Sequence, residues 1–330
     1  MKEKKRVQIL LVLLCGVLLL NCSSNQSDEP IVLEASCFDD VMNGDETGVD
    51  CGGNCPSICD SEPISIPNSG FVSPMEYDGF TLTWSDEFNS NQLDQNKWDF
   101  HLGDGCPALC NWGNNEEQFF TNSSDNIYLD RGNLIITALN EFRSGKNYTS
   151  SRIHSDEKFE FQFGRVDIRA SMPSAPGTWV ALFMFNKDYT ILDPDAFWPS
   201  GGEIDIMEYL GEDPNNILGT AHFGTDFPTN WFFESSDFSA PNGESYDDSF
   251  YVFSIIWEED KITWLVNNVE YHTIDTETTA SRGQPYPFND EFYFVFALSV
   301  GGNLPSVSPI TSDFPDSLIV DYVRVFQKNQ

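Results

Sequence analysis

The chain has 330 residues, with 52 acidic against 17 basic side chains and a formal net charge of −35. A polymer this acidic repels other polyanions, which excludes nucleic acid, anionic lipid and heavily sulfated polysaccharides as partners and leaves neutral polymers admissible.

The first element is a leader. Lys2, Lys4, Lys5 and Arg6 make a basic start, and Ile9 to Leu20 form an apolar run. About a dozen apolar residues are too few to span a bilayer and suit a secretory signal. The run ends in LLNC, which resembles a bacterial lipobox with Cys22 as the lipidated residue, although Asn21 stands where a small residue is usual. A signal cut somewhere after Cys22 is the alternative. Both readings predict export, to the outer membrane or cell surface. Acyl chains on Cys22 would be the only contact with a membrane, the rest of a monomer standing in water. Loss of residues 1–21 removes four basic residues and one acid, so the charge moves from −35 to −38.

Residues 22–75 read as a tether containing a short cysteine-rich stretch, 37–59. That stretch is too small to own a core. It resembles a module of exported bacterial proteins with the pattern C…NGDET…DCGG.C…C; its acids could hold calcium, and a stapled spacer is the other reading. Beyond Cys15 and Cys22 the cysteines number six: Cys37, Cys51, Cys55, Cys59, Cys106 and Cys110. An even count in an exported chain predicts disulfides, paired within the first four and between Cys106 and Cys110. Zinc is the alternative for the CxxxC spacings, but no histidine accompanies them at a metal-site spacing.

From 76 to 330 the text changes. Short runs rich in Phe, Ile, Val, Trp and Tyr recur between turn residues: GFTLTWSDEF, GNLIITALN, FQFGRVDIRASM, WVALFMFN, GEIDIMEYL, SFYVFSIIWEEDKITWLVNNVEYHTI, EFYFVFALSV and SLIVDYVRVFQ. Several alternate with period two and none sustains a helical period. One all-β sandwich of two antiparallel sheets is predicted, with one face hollowed into a substrate cleft.

The run GGEIDIMEYLG at 201–211 holds three acids, Glu203, Asp205 and Glu208. In a regular strand the parity of Glu208 would turn it away from the other two. A β-bulge at Ile206–Met207 removes the conflict: the three acids then share one face, and Ile204, Ile206 and Met207 face the core. Like charges so close raise one another's pKa, so the three cannot all ionise freely. Glycoside hydrolysis uses such a division between a carboxylate nucleophile and a carboxylic acid. Glu203 would attack the anomeric carbon. Glu208 would protonate the leaving oxygen and then activate water, while Asp205 would hydrogen-bond Glu203 and modulate the proton balance. Alone, ExDxxE also fits a calcium site or a solvated edge strand.

GEIDIME resembles the catalytic signature of glycoside hydrolase family 16 in its longer, bulged form. The similarity extends in order over residues 80–328, through WSDEFN, NWGNNEEQFFT, SSRIHS, FQFGRVDIRASMP, GTW, FWPSGGEIDIMEYLG, LSVGGN and VDYVRVFQ. NWGNNEEQFFT resembles a segment of the laminarinase-like endo-β-1,3-glucanases. The resemblance implies a jelly-roll sandwich and retaining hydrolysis of β-1,3-glucan without a catalytic cofactor. It also implies that Trp198 stacks on sugar, with Trp179 a second aromatic candidate. Asn114, Asn115 and Arg152 match polar positions that contact sugar hydroxyls, and His222 matches a cleft histidine. A structural calcium ion of the family would correspond to Asp321 and Glu87.

This sequence departs from the laminarinase-like pattern at Val180 and Phe183, which stand for Pro and Trp, and at Ala297, which stands for Asn. NKDYTILDPDAF, before Trp198, is longer and more acidic than usual. These changes bear on the linkage cleaved. Mixed-linkage β-glucan or an agar-type galactan is the alternative substrate, and a catalytically inactive carbohydrate-binding lipoprotein is the alternative of another class.

Overall fold

The computed structural model describes Cys55, residues 64–194 and residues 197–329. The predicted leader, Cys22, and Cys37, Cys51 and Cys59 of the cysteine-rich stretch lie outside the described residues. Of the chain's two compact units, Met1–Ser65 and Ile66–Gln330, the second carries all the described strands. No described helix is long and apolar enough to cross a membrane.

Among the described residues, alternation and turn chemistry build seventeen strands. The first seven are β1 (Phe80–Asp86), β2 (Asp99–Phe100), β3 (Gln118–Phe120), β4 (Ile127–Asp130), β5 (Asn133–Ala138), β6 (Tyr148–Ser150) and β7 (Arg152–His154). The longer central strands are β8 (Gly164–Ser171), β9 (Thr178–Asn186), β10 (Glu203–Leu210), β11 (Asn216–Asp226) and β12 (Asn230–Ser239). The last five are β13 (Tyr251–Trp257), β14 (Lys261–Val266), β15 (Val269–Asp275), β16 (Phe292–Val300) and β17 (Asp316–Lys328). Between β14 and β15, Asn267 and Asn268 both take positive φ, the two-residue hairpin turn that asparagine tolerates. One six-residue helix, Thr276–Ser281, is capped by the Asp275 side chain.

These strands form the predicted sandwich. The front sheet runs β12-β11-β10-β9-β16-β7-β2 and the back sheet β15-β14-β13-β8-β17-β5-β4, with β1 also paired to β17; β3 and β6 make a small parallel pair. Every pairing within the two large sheets is antiparallel. The core between the sheets is heavily aromatic, with Trp98, Trp257, Trp264, Phe253, Phe292 and Phe294 all buried. Each such side chain stabilises the fold by about 1.5–3 kcal/mol through burial.

Period two sorts the back sheet in the same way. Along β8, Val166, Ile168 and Ala170 enter the core, leaving Arg165, Asp167 and Arg169 on the outer face. The chain before β1 lies across that outer face. Arg169 Nε donates to the Phe71 carbonyl at 2.6 Å and Arg324 Nη1 to that of Ser73 at 3.2 Å. Ser73 N donates to Tyr322 Oη at 2.8 Å, and Tyr77 Oη to Asp167 Oδ2 at 2.7 Å. The acids sit on the opposite side of the molecule, on the outer face of the front sheet.

Candidate active site

Gly202, at φ +81°, opens β10. A Cβ there would meet the Phe288 ring at 2.9 Å, so the close approach and the left-handed backbone both call for glycine. Along β9 the pairing passes from Asp205↔Phe183 to Met207↔Leu182, and along β11 from Asp205↔Thr220 to Glu208↔Leu218. Ile206 and Met207 thus oppose Gly219 alone, the predicted bulge. Ile204, Ile206, Met207 and Tyr209 are buried in the core. Glu203, Asp205 and Glu208 come out together on the front face. Two neighbours hold the irregularity: the indole N–H of Trp264 donates to the Asp205 carbonyl at 2.8 Å, and Gly219 leaves space that a Cβ would lose to Tyr271 Oη at 2.4 Å and Trp264 Cδ1 at 2.6 Å.

Each outer acid receives an indole proton. Trp198 Nε1 donates to Glu203 Oε2 at 2.7 Å, and Trp179 Nε1 to Glu208 Oε1 at 3.1 Å. Thr220 Oγ1 stands 3.5 Å from Glu208 Oε2. Asp205 behaves differently from expectation: no hydrogen bond joins it to Glu203, and its Oδ2 faces His222 Nε2 at 3.2 Å, an ion-pair contact rather than an aligned hydrogen bond. Trp231, on β12, donates from Nε1 to Nδ1 of His222, on β11, at 3.2 Å, which makes Nδ1 the acceptor and turns the Nε2 edge of the ring toward Asp205.

Asp205 is 3% and Glu208 9% exposed, and burial drives the electrostatics. It pushes the Glu203 carboxyl up to about 8; the charge of Asp205 adds to this, while His222 and the Trp198 N–H oppose it. Glu208 is raised to about 8 for the same first two reasons, opposed by His222, Trp179 and Thr220. Asp205 is raised by burial. A site so arranged retains protons at neutral pH and can release one carboxylate while a neighbour stays acidic.

The structure spreads the remaining predicted residues over the same face and beyond it. Arg152, on β7, lies beside Ala297 and is buried, its guanidinium 4.6 Å from the Trp112 ring centre and 5.4 Å from that of Phe183. Asn114 turns its amide toward Glu116 Oε1 at 3.5 Å, and Asn115 donates to Asn303 Oδ1 at 2.7 Å. Sequence reasoning did not single out Glu116, Trp231 or Thr220. Glu116, buried, accepts from Gln118 at 2.6 Å and Ser299 at 2.9 Å and fixes the Asn-rich segment to β16. Its signal was present, inside the same NNEEQ run.

Cys106 and Cys110 form a disulfide, and Cys55 is also disulfide-bonded. The two carboxylates matched to calcium do not fit a hard dication. Asp321 pairs with Arg169 at 2.7 Å, Glu87 with Arg324 through two contacts at 2.7 and 2.8 Å, and an arginine at each removes the negative charge that calcium needs. Among the described residues, no group of three His, Cys, Asp or Glu side chains could hold a metal.

Comparison with known proteins places this geometry. A model of the glycosyl hydrolases family 16 matches residues 109–306. Glucan endo-1,3-beta-glucosidase A1 of Niallia circulans is 36% identical over 288 residues, which cover 83% of this chain and 41% of that protein. The chain therefore spans less than half the length of that relative. Beta-glucanase of Rhodothermus marinus is 33% identical over 259 residues, 74% of this chain and 85% of that one. The X-ray structure of endo-beta-1,3-glucanase from Pyrococcus furiosus superposes with a TM-score of 0.70 at 32% identity, covering 76% of this chain and 95% of the other.

Proposed function

The chain belongs to glycosyl hydrolases family 16, and on that premise we propose that it is a retaining endo-glycosidase that cuts β-1,3-glucan. The observation that carries the reading is the bulge at Ile206–Met207, which sets Glu203, Asp205 and Glu208 together on the front face with an indole donor on each outer acid.

Glu203 is the nucleophile. The 2.7 Å bond from Trp198 steadies its anion and aims one oxygen, leaving the other for the anomeric carbon. As that carbon–oxygen bond forms, the glycosidic bond breaks, and Glu208 passes its proton to the departing oxygen. Glu208, now a carboxylate, takes a proton from water, whose oxygen attacks the same carbon and releases Glu203. Asp205 keeps the proton count within the trio. With His222 toward its Oδ2, its negative charge is tolerable when Glu203 is neutralised as the ester. Two inversions at one carbon leave the configuration retained.

The test is hydrolysis of laminarin by Glu203→Gln, for which loss of turnover with retained binding is expected. An unaffected rate would remove the assignment. Tight glucan binding without turnover by the unmutated protein would instead favour the carbohydrate-binding reading; the pairing of each outer acid with a proton donor supports the hydrolase.

We also propose that the protein is an exported lipoprotein, acylated at Cys22 and held at the outer membrane or cell surface. LLNC supports this. Cys22→Ser should abolish incorporation of labelled palmitate and release the protein from the membrane fraction.

A further inference from the structure

The front face is not symmetric about β10. Toward β12 it is open and aromatic. Phe227 and Phe233 are 46% and 53% exposed, and Trp231 lies 5.4 and 5.6 Å from their ring centres. Trp231 is also 5.6 Å from Trp198, which holds Glu203. Rings in such a row offer faces on which sugar C–H surfaces pack.

Toward β7 the same face is covered. Phe185 and Phe183 lie beside Glu203 and Asp205, with Tyr293 and Val295 one strand further on. All four project away from the core between the sheets, yet none is more than 6% exposed. The chain after β9 covers them. Tyr189 stacks on Phe185 with ring centres 3.9 Å apart. Ile191 packs against this cluster and also against a second one, made of Trp112, Phe120 and Ala297. It thereby joins the two clusters. Ala297 is beside Ala181, and Ala181 beside Glu208, so this junction is two strands from the acid, roughly 10 Å at the usual strand spacing.

Three departures from the pattern of the laminarinase-like enzymes meet at this point: the long segment after β9, Phe183 and Ala297. A smaller ring and a methyl group in place of an amide leave an apolar seat, and Ile191 occupies it.

We infer that Tyr189 and Ile191 form an end stop in the groove, and that the distance from Glu208 to Ile191 sets the length of the principal product. On the β7 side of the scissile bond the enzyme grips only a few glucose units, and a longer chain rises out of the groove over Ile191, so internal bonds stay open to attack; on the β12 side the glucan extends over the rings. The inference rests on the β-1,3-glucan reading and adds a measure of product size to it.

The test is digestion of β-1,3-linked gluco-oligosaccharides of defined length by the full chain and by Ile191→Ala, Tyr189→Ala and Leu192→Ala, with products sized over time. Leu192, 82% exposed on the same segment, controls for substitution there. The unmutated and Leu192→Ala enzymes should release one short principal product. Ile191→Ala and Tyr189→Ala should lengthen it by at least one glucose unit. If Tyr189→Ala fails to fold, its ring being buried, Ile191→Ala decides alone. An active Ile191→Ala enzyme with an unchanged product overturns the end stop and leaves the glucanase reading standing. Failure of the unmutated protein to cut any of these oligosaccharides overturns that reading, and the end stop with it.

Discussion

At Glu208 the same burial that makes an acid for catalysis makes a liability for folding. Glu203→Gln should eliminate turnover, and Glu208→Gln should lower kcat by about 10²–10⁴-fold, the usual worth of a positioned acid–base group, measured on laminarin by reducing-sugar release. Stability should move the other way. Glu208 has an ordinary value of 4.5 and is raised to about 8 in the folded chain. Between those values the unfolded chain binds fewer protons than the folded one, so this group costs stability progressively as pH rises, and costs nothing below the unfolded value. Glu208→Gln should therefore stabilise the protein by on the order of 4 kcal/mol at pH 8, a difference that vanishes toward pH 4 in denaturant titrations. The identity of the three acids was legible from their spacing and the family resemblance. Their partners were less so: Trp231 reaches the trio through His222 and Trp198, and Thr220 only because β11 pairs with β10, contacts set by the pairing register of three neighbouring strands.

At the scale of the element, the bulge was legible because a parity conflict among charged residues has few solutions in a strand. What holds it was not. Trp264 reaches the freed Asp205 carbonyl from the other sheet, and Gly219 makes room for it. Gly219→Val should cost about 1–3 kcal/mol in unfolding free energy, as overpacking does, and should also lower kcat, because displacing Trp264 loosens the backbone that aims Asp205 and Glu208. Fluorescence of that buried indole should report the displacement. The eight apolar runs located β1, β5, β8, β9, β10, β16, β17 and the β13–β15 meander. The β11–β12 hairpin escaped, since β12 is an edge strand whose Glu234, Ser236 and Asp237 dilute its apolar contrast, and β11 carries Gly219 and Gly224. Without that hairpin the open side of the groove could not be foreseen. The Cys106–Cys110 loop is another local device: it precedes Trp112 and Asn114, and the double Cys106→Ser/Cys110→Ser variant should lose about 2 kcal/mol through the entropy of its short loop.

At the scale of the whole molecule, two outer faces do different work. One carries the acids and the groove; the other carries Arg165, Arg169 and Arg324, against which residues 70–77 are laid. Arg324→Met should lower the melting temperature by several degrees, because it strips Glu87 of its bidentate partner and Ser73 of a donor, while leaving kcat on laminarin unchanged. The sandwich itself was legible from period two. The strap was not, for residues 70–77 have no apolar periodicity and are held largely by backbone N–H and C=O groups, which nearly every residue has. Its consequence is mechanical. A pull along the upstream chain, such as a long polymer dragging on the enzyme would produce, is met first by arginine forks and the Gly70–Phe250 bridge on the rear of the body. If the upstream chain is the tether that its sequence suggests, tension would peel that strap before it reached the strand carrying the acids, and the cutting edge would keep its shape.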